Sequence, residues 1–333
     1  MSIPAGGLKD WEPWSVNLEN AEHPMGTVSI VIPTYHATSL EATVDGLMAQ
    51  SSWPSIAEIV VVGRQPPGPW RTRPKVRYIE VMDRPSPAHN RNVGAQLSSA
   101  PWLCFLDSDC LPMPDWLERL MEHAERYGAR ALCGSVTVPE DTSYWALCDH
   151  LLAFRELTRT RGVPQWVPYG ASLNLCMRRD LFHALGGFDT AFAQAAGEDW
   201  DLCERLSERG EGLLFVPTAT VIHCHSRRDL RSAWEHLYRY GTAVATRRAL
   251  RGPDWRLQWG YRLARVPFLL ELYGLARVLV RAPLHFAWRD TASPRKDWRI
   301  PWGMIVLDLA LSHGIVHGVR RRALADHGVP QPP

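Results

Sequence analysis

Val28-Ser29-Ile30-Val31-Ile32, stopped by Pro33-Thr34, is a short β-branched run with one small polar member. Such a run reads as a strand buried on both faces, as in parallel sheets. Outward from it, Leu40 to Gln50 carries Leu40, Val44, Leu47 and Met48 at helical spacing. Glu58-Ile59-Val60-Val61-Val62 is a second strand, ended by Gly63. Val76 to Val81 is a third, Asn92 to Ser99 a helix, and Trp102-Leu103-Cys104-Phe105-Leu106 a fourth strand. Strand, helix, strand, strand, helix, strand in this space predicts an α/β sheet of mostly parallel order. Ligands bind such sheets beyond the carboxyl ends of the strands, which directs attention to loops 33–39, 63–75 and 107–114.

The chain has 333 residues, 46% apolar and 22% charged, which excludes disorder and low-complexity repeats. Its net charge of +2 conceals an asymmetry. Residues 1–225 hold 18 Lys/Arg against 27 Asp/Glu, a net of −9; residues 226–333 hold 19 against 8, a net of +11. The acidic part suits a divalent metal, and the basic part suits phosphate or an anionic membrane. Seven scattered cysteines, an odd number with no C-x-x-C, predict a reducing compartment. The first residues lack a basic start and an apolar core, so no secretory signal is expected.

Three motifs carry candidate chemistry. Asp107-Ser108-Asp109 directly follows the fourth strand. Two carboxylates so placed can share one divalent cation, which in turn bridges a diphosphate; the same residues also make an ordinary turn or helix cap. Gly197-Glu198-Asp199-Trp200-Asp201 opens an amphipathic helix. Acids there complement the helix dipole, or one of them serves as a general base. His223-Cys224-His225 follows strand-like segments at Leu213–Val216 and Thr220–Ile222, and its imidazoles are either structural or metal-ligating.

The order of motifs is more specific than any one of them. Val28–Thr34, Asn90-Arg91-Asn92-Val93-Gly94, Asp107-Ser108-Asp109, Gly186-Gly187-Phe188-Asp189, Glu198-Asp199 and His223-Cys224-His225 follow one another. Together they resemble the family 2 inverting glycosyltransferases of the GT-A fold, over about residues 27–245. The resemblance implies a Rossmann-like, mixed but mostly parallel sheet flanked by helices, with a C-terminal helical region. The GT-A catalytic domain it implies covers 27–245; the polar stretch 1–26 reads as a lead-in, and 246–333, by its charge and tryptophans, as a helical, membrane-associating region. The resemblance implies Asp199 as catalytic base, and Pro33, Tyr35, Arg91, Asn92 and Asp107 around the nucleotide sugar. Asp107 and Asp109 become the D-x-D pair, with Asp109 favoured as the direct ligand of Mg or Mn and one of His223 and His225 completing the site. Gly170, Ala171 and Ser172, with Glu198 and Trp200, fall on the acceptor side.

Two departures stand out. Members of this family commonly end the second strand with an acid that contacts the nucleotide base; here Val61-Val62-Gly63-Arg64-Gln65 has none, so UDP is not assumed. The Q-x-x-R-W motif of processive members is replaced by Tyr238-Arg239-Tyr240-Gly241, which implies single-sugar transfer. The expected function is metal-dependent, inverting transfer of one sugar to a hydroxyl on a glycan, lipid-linked or peptide acceptor. A sugar–polyprenyl-phosphate synthase differs only in the acceptor. A nucleotidyltransferase needs a Gly-rich phosphate loop that Pro33-Thr34-Tyr35-His36 does not supply, and a pure binding module does not account for three retained acids.

Two apolar stretches, Val266–Val280 and Ile300–Val319, are interrupted by Glu271, Arg277, Asp308, His313 and His317. Neither is a clean uncharged span. Flanking Trp255, Trp259, Trp288, Trp298 and Trp302, with many arginines, predict peripheral attachment to an anionic membrane, on the cytoplasmic face of the cell membrane. The alternative is a helical subdomain packed on the catalytic domain. Arg320-Arg321-Arg322 stands without any nucleic-acid-binding motif, so no nucleic-acid partner is expected.

Overall fold

The computed structural model describes residues 27–81, 86–192, 196–224, 227–250, 267–287 and 297–326. The lead-in 1–26, His225, Trp255, Trp259 and Trp288 lie outside the described residues.

The opening run becomes β1 (Val28–Tyr35), buried up to Thr34. It pairs in parallel with β2 (Ile56–Arg64) and with β4 (Trp102–Leu106), and β3 (Val76–Glu80) continues the parallel set beside β2. The sheet then reverses once. β8 (Asn174–Arg178) lies antiparallel between β4 and β6 (Ala131–Thr137). β9 (Leu213–His223) runs parallel to β6. Its outer edge is covered by β7 (Gln165–Val167) at the start and by β5 (Cys110–Pro112) at the end, both antiparallel. The result is one nine-stranded, mixed, mostly parallel sheet, the expected class.

The segments Leu213–Val216 and Thr220–Ile222 belong to one strand rather than two. Pro217 has no N–H for a ladder, and the β6 register jumps there from Gly134↔Val216 to Ser135↔Thr220. Ser135 Oγ donates to the Pro217 carbonyl at 2.8 Å and so closes the gap.

Helices α1 (Leu40–Met48) and α2 (Pro87–Leu97) follow β1 and β3. α2 starts earlier than its apolar spacing predicts: Ser86 caps it by accepting from the His89 N–H, and Pro87 supplies a preset first turn. α3 (Trp116–Tyr127), α4 (Tyr144–Phe154), α5 (Arg179–Ala184) and α6 (Glu198–Glu208) complete the part that carries the sheet.

Three long helices follow: α7 (Leu230–Leu250), α8 (Pro267–Ala287) and α9 (Ile300–Asp326). α9 packs against α4, α7 and α8. Residues 300–321 are long and apolar enough to cross a membrane by length and composition, yet 67% of that stretch is buried within the protein. Leu307, Leu311, Ile315 and Val316 share an apolar cluster with Leu147 and Leu151 of α4 and Leu237 and Tyr240 of α7. Two glycines set the α7–α9 distance. A Cβ on Gly314 would lie 2.0 Å from the Tyr238 carbonyl oxygen, and one on Gly241 would lie 2.2 Å from that of Leu311.

Candidate active site

The carboxyl ends of β1, β2 and β4 meet at one edge of the sheet. Gln65, just beyond β2, stands where the resemblance leads one to look for an acid. Its side chain accepts from Thr34 Oγ1 and from the Ala37 N–H, both at 2.8 Å, and donates to the Ala37 carbonyl at 2.6 Å. It fastens the loop that carries Pro33 and Tyr35. Tyr78 fixes the other side of the turn, its hydroxyl accepting from the Gln65 N–H and donating to the Gly63 carbonyl. Tyr35 itself is 57% exposed at the rim. Ser39 and Thr43 of the α1 start both donate to the Ser108 carbonyl, at 2.9 and 3.0 Å, which ties the first loop to the Asp107-Ser108-Asp109 turn.

Arg91 is 2% exposed and joins two motifs far apart in sequence. One terminal nitrogen donates to Asp107 Oδ1 at 2.6 Å and the other to Glu198 Oε1 at 2.9 Å. The two carboxylates keep the buried guanidinium charged. Asn92, the next residue but one along the same motif from Asn90, acts on another loop. Its amide donates to the Phe188 carbonyl and accepts from the Phe188 N–H, each at 2.8 Å. It thereby holds the Gly186-Gly187-Phe188-Asp189 turn, where Gly187 has φ +72° and leaves room for the Asn92 side chain.

Asp109 meets His223 because β5 and β9 pair Cys110 with His223. Asp109 Oδ2 lies 3.5 Å from His223 Nε2, and the Cys224 N–H donates to the Asp109 carbonyl at 2.8 Å. Cys110 offers a third donor, with all three ligand atoms within 4.8 Å of one another. Burial and the Asp109 and Asp107 carboxylates push the Cys110 thiol well up. A carboxylate facing a ring nitrogen is a donor pair that fits a divalent cation. Asp107 is turned to Arg91, and His225 lies outside the described residues.

Glu198 and Asp199 open α6 after Gly197, whose φ of +95° aims the chain into the site. Both carboxyls are buried, with exposures of 3% and 8%. Asp199 Oδ2 accepts from the Tyr169 hydroxyl at 3.0 Å, Oδ1 accepts from the Trp200 N–H at 2.8 Å, and the Ser172 main chain adds a further hydrogen bond. Burial pushes Asp199 above the ordinary carboxylate range despite these donors. Glu198 is pushed up to about 7 by burial and by the neighbouring Asp199 charge, against the pull of Arg91. Tyr169 stacks on Trp200 with ring centroids 4.5 Å apart and also neighbours Tyr240 of α7. Gly170 and Ala171 are buried, Gly170 against Cys133 of β6, and the Tyr169–Trp200 pair is the aromatic element beside Asp199.

Gln65, Tyr78 and Tyr240 carry no role in the sequence motifs themselves, whereas Tyr169 belongs to the segment whose resemblance points to the acceptor side. Tyr169 heads the segment that runs through Gly170, Ala171 and Ser172, and that adjacency is its one local signal. The others are set by contacts between distant segments.

Residues 29–186 match the profile of Glycosyl transferase family 2. The chain carries a family 2 glycosyltransferase domain. That domain is 34% identical over 184 residues to the pre-mycofactocin glycosyltransferase of Mycobacterium tuberculosis, a match that covers 53% of this chain and 38% of that protein. It is 25% identical over 222 residues to the glucosyl-dolichyl phosphate glucuronosyltransferase of Haloferax volcanii, 59% of this chain and 68% of the other. Among solved structures, GalNAc-T7 with UDP, GalNAc and Mn2+ superposes with a TM-score of 0.49 at 18% identity, covering 66% of this chain and 47% of that one. The chain thus spans well under half the length of the mycobacterial relative. The family 2 match takes in the β1 loop, Arg91, Asn92, Asp107 and Asp109, while Asp199 and His223 lie beyond its last matched residue.

Proposed function

We propose that the protein transfers a single sugar, with inversion, from a nucleotide-sugar donor to an acceptor hydroxyl. The observation that carries this reading is one edge of the sheet holding both an Asp109–His223 donor pair and a buried, hydrogen-bonded Asp199. In this reading the β1 loop fastened by Gln65 and the Asp107–Asp109 turn form the donor side. Asp109 and His223 would hold Mg or Mn, which would supply positive charge for the departing diphosphate. The imidazole donor favours Mn over Mg.

Asp199 removes the proton from the acceptor hydroxyl while that oxygen attacks the anomeric carbon from the face opposite the diphosphate, which inverts the configuration. Its upward-shifted affinity for protons makes it a stronger base than an exposed carboxylate. Tyr169 and the Trp200 N–H orient it, and Arg91 ties Glu198 to Asp107. The stacked Tyr169–Trp200 pair gives a sugar acceptor a flat apolar neighbour. The acceptor is a glycan, a peptide or a lipid-linked sugar; the Haloferax relative is named for the last. Seven free cysteines, six of them buried, support a reducing, cytoplasmic setting.

The test is a panel of nucleotide sugars offered with Mn2+ or Mg2+, with and without chelator, using the wild type and Asp199→Asn. We expect metal-dependent release of nucleoside diphosphate and an inverted product. The Asn variant should lose about 10²–10⁴-fold in turnover while keeping donor affinity. Full turnover by the variant would remove Asp199 from the role of base.

A further inference from the structure

α8 has its polarity reversed relative to a helix on the surface of a water-soluble domain. Its inward face carries ions. Asp308 of α9, wholly buried, accepts from Arg277 Nη1 at 3.1 Å and Arg281 Nη1 at 2.6 Å and faces His285 Nε2 at 3.3 Å. Its outward face carries hydrocarbon: Leu272, Leu275, Leu279, Val280 and Leu284 are 44%, 49%, 65%, 75% and 44% exposed. These positions recur at i, i+3, i+7, i+8 and i+12, one continuous stripe, and the exposed Ala276 and Pro283 extend it without adding a charge. Water favours the opposite arrangement, because burying ions costs solvation and exposing leucines costs apolar hydration. Hydrocarbon surroundings favour this one.

From this reversal we infer that the outward stripe of α8 inserts into the acyl boundary of an anionic lipid bilayer, with the helix lying along the membrane plane. Three observations select lipid as the occupant. The stripe from Leu272 to Leu284 spans about 18 Å of helix, too short to cross a hydrocarbon core of about 30 Å but suited to lying in one leaflet. Trp298 and Trp302, at the start of α9, are 67% and 55% exposed, as anchors at the headgroup level are. The region 226–333 carries a net +11, which complements anionic headgroups and repels the same surface of a second copy. Apolar insertion, rather than charge alone, then holds the protein. α9, although it holds the stretch long and apolar enough to cross a membrane, is the packed centre of the helical region and not the lipid-facing element. The inference is independent of the chemistry proposed above, since it is read without any sugar donor.

The experiment is co-sedimentation of the full chain with phosphatidylcholine vesicles, with and without phosphatidylglycerol, at low and high salt. The variants are L279E/V280E and, separately, L272E/L284E, all at exposed positions where the fold is undisturbed; circular dichroism and melting check this. The wild type should bind phosphatidylglycerol vesicles, and a large share of binding should survive high salt. Each double variant should bind at least about tenfold more weakly with an unchanged spectrum. Wild type that stays in the supernatant at low salt, or variants that bind as well as wild type, would overturn the inference. So would a wild-type dimer that the same substitutions convert to monomer without any vesicle binding, which would make the stripe a self-interface.

Discussion

Asp109 and His223 stand 114 positions apart in the chain and face each other at 3.5 Å, because Cys110 and His223 are directly paired across β5 and β9. The antiparallel register, and nothing local to either residue, makes them neighbours. A one-residue slip in that ladder would turn His223 to the opposite face of the sheet.

Asp109→Ala and His223→Ala should each abolish the metal dependence of turnover and lower it by about 10²–10³-fold, as expected when charge stabilisation worth several kcal/mol is lost. Metal titration followed by diphosphate release checks this. Equal activity of the wild type in excess chelator would rule out a metal role for the pair.

Tyr169→Phe should move the acidic limb of the pH–rate profile to higher pH. The Tyr169 hydroxyl donates to Asp199 and stabilises its charged form, pulling it down against burial. Without that donor Asp199 stays protonated to higher pH, and a base works only once deprotonated. An unmoved limb would mean that Asp199 does not set it.

Glu198→Gln should flatten the dependence of stability on pH. Glu198 titrates at about 7 in the fold against an ordinary 4.5, so the folded chain binds more protons between these values. Stability therefore falls as pH rises through that window, and removing the carboxyl removes the fall. Unfolding free energies from denaturant titration at pH 5 and pH 8 should converge in the variant by an amount on the order of 1–3 kcal/mol. A wild type equally stable at both would contradict this.

Gly314→Ala should destabilise the helical region by about 1–3 kcal/mol or more, because its methyl would lie 2.0 Å from the Tyr238 carbonyl and push α7 from α9. Since Tyr240 follows on α7 and neighbours Tyr169, turnover should fall with it. Melting and kinetics measured together test the linkage; lost stability with full turnover would separate α7 from the site.

Much of this architecture is legible in the chain. Strands β1, β2 and β4 are apolar runs with clear stops, and Asp107-Ser108-Asp109 at the end of β4 marks the edge where the candidate site lies. β6 and β8 are harder to read. Ala131–Thr137 contains Gly134 and Ser135, and Asn174–Arg178 has no strong strand formers; both become strands through burial between paired neighbours. Asn174 gains its place from Trp116 Nε1–H, which donates to it at 2.8 Å, and from its own bonds to the Ser135 and Ala219 carbonyls. Asp199 and His223 are legible as types at element ends, whereas the fastening of Gln65 on Thr34 and the placing of Tyr240 beside Tyr169 depend on packing that no local pattern encodes. The reversed polarity of α8 is likewise invisible until α9 supplies Asp308 as the inner partner.

Arg91 and Glu198 are separated by 107 residues, and that distance has a consequence in time. At roughly 5–20 residues per second of synthesis, the donor loops leave the ribosome several seconds or more before their partners on α6. During that interval Arg91 can pair with Asp107 but not with Glu198, and Asp109 has no His223. The nascent sheet thus exists for a while as a half-furnished edge, unable to hold both substrates together until the later strand and helix arrive. The Arg91–Glu198 and Asp109–His223 pairs therefore both wait for the last third of the sheet-bearing part, and close only once α6 and β9 have emerged.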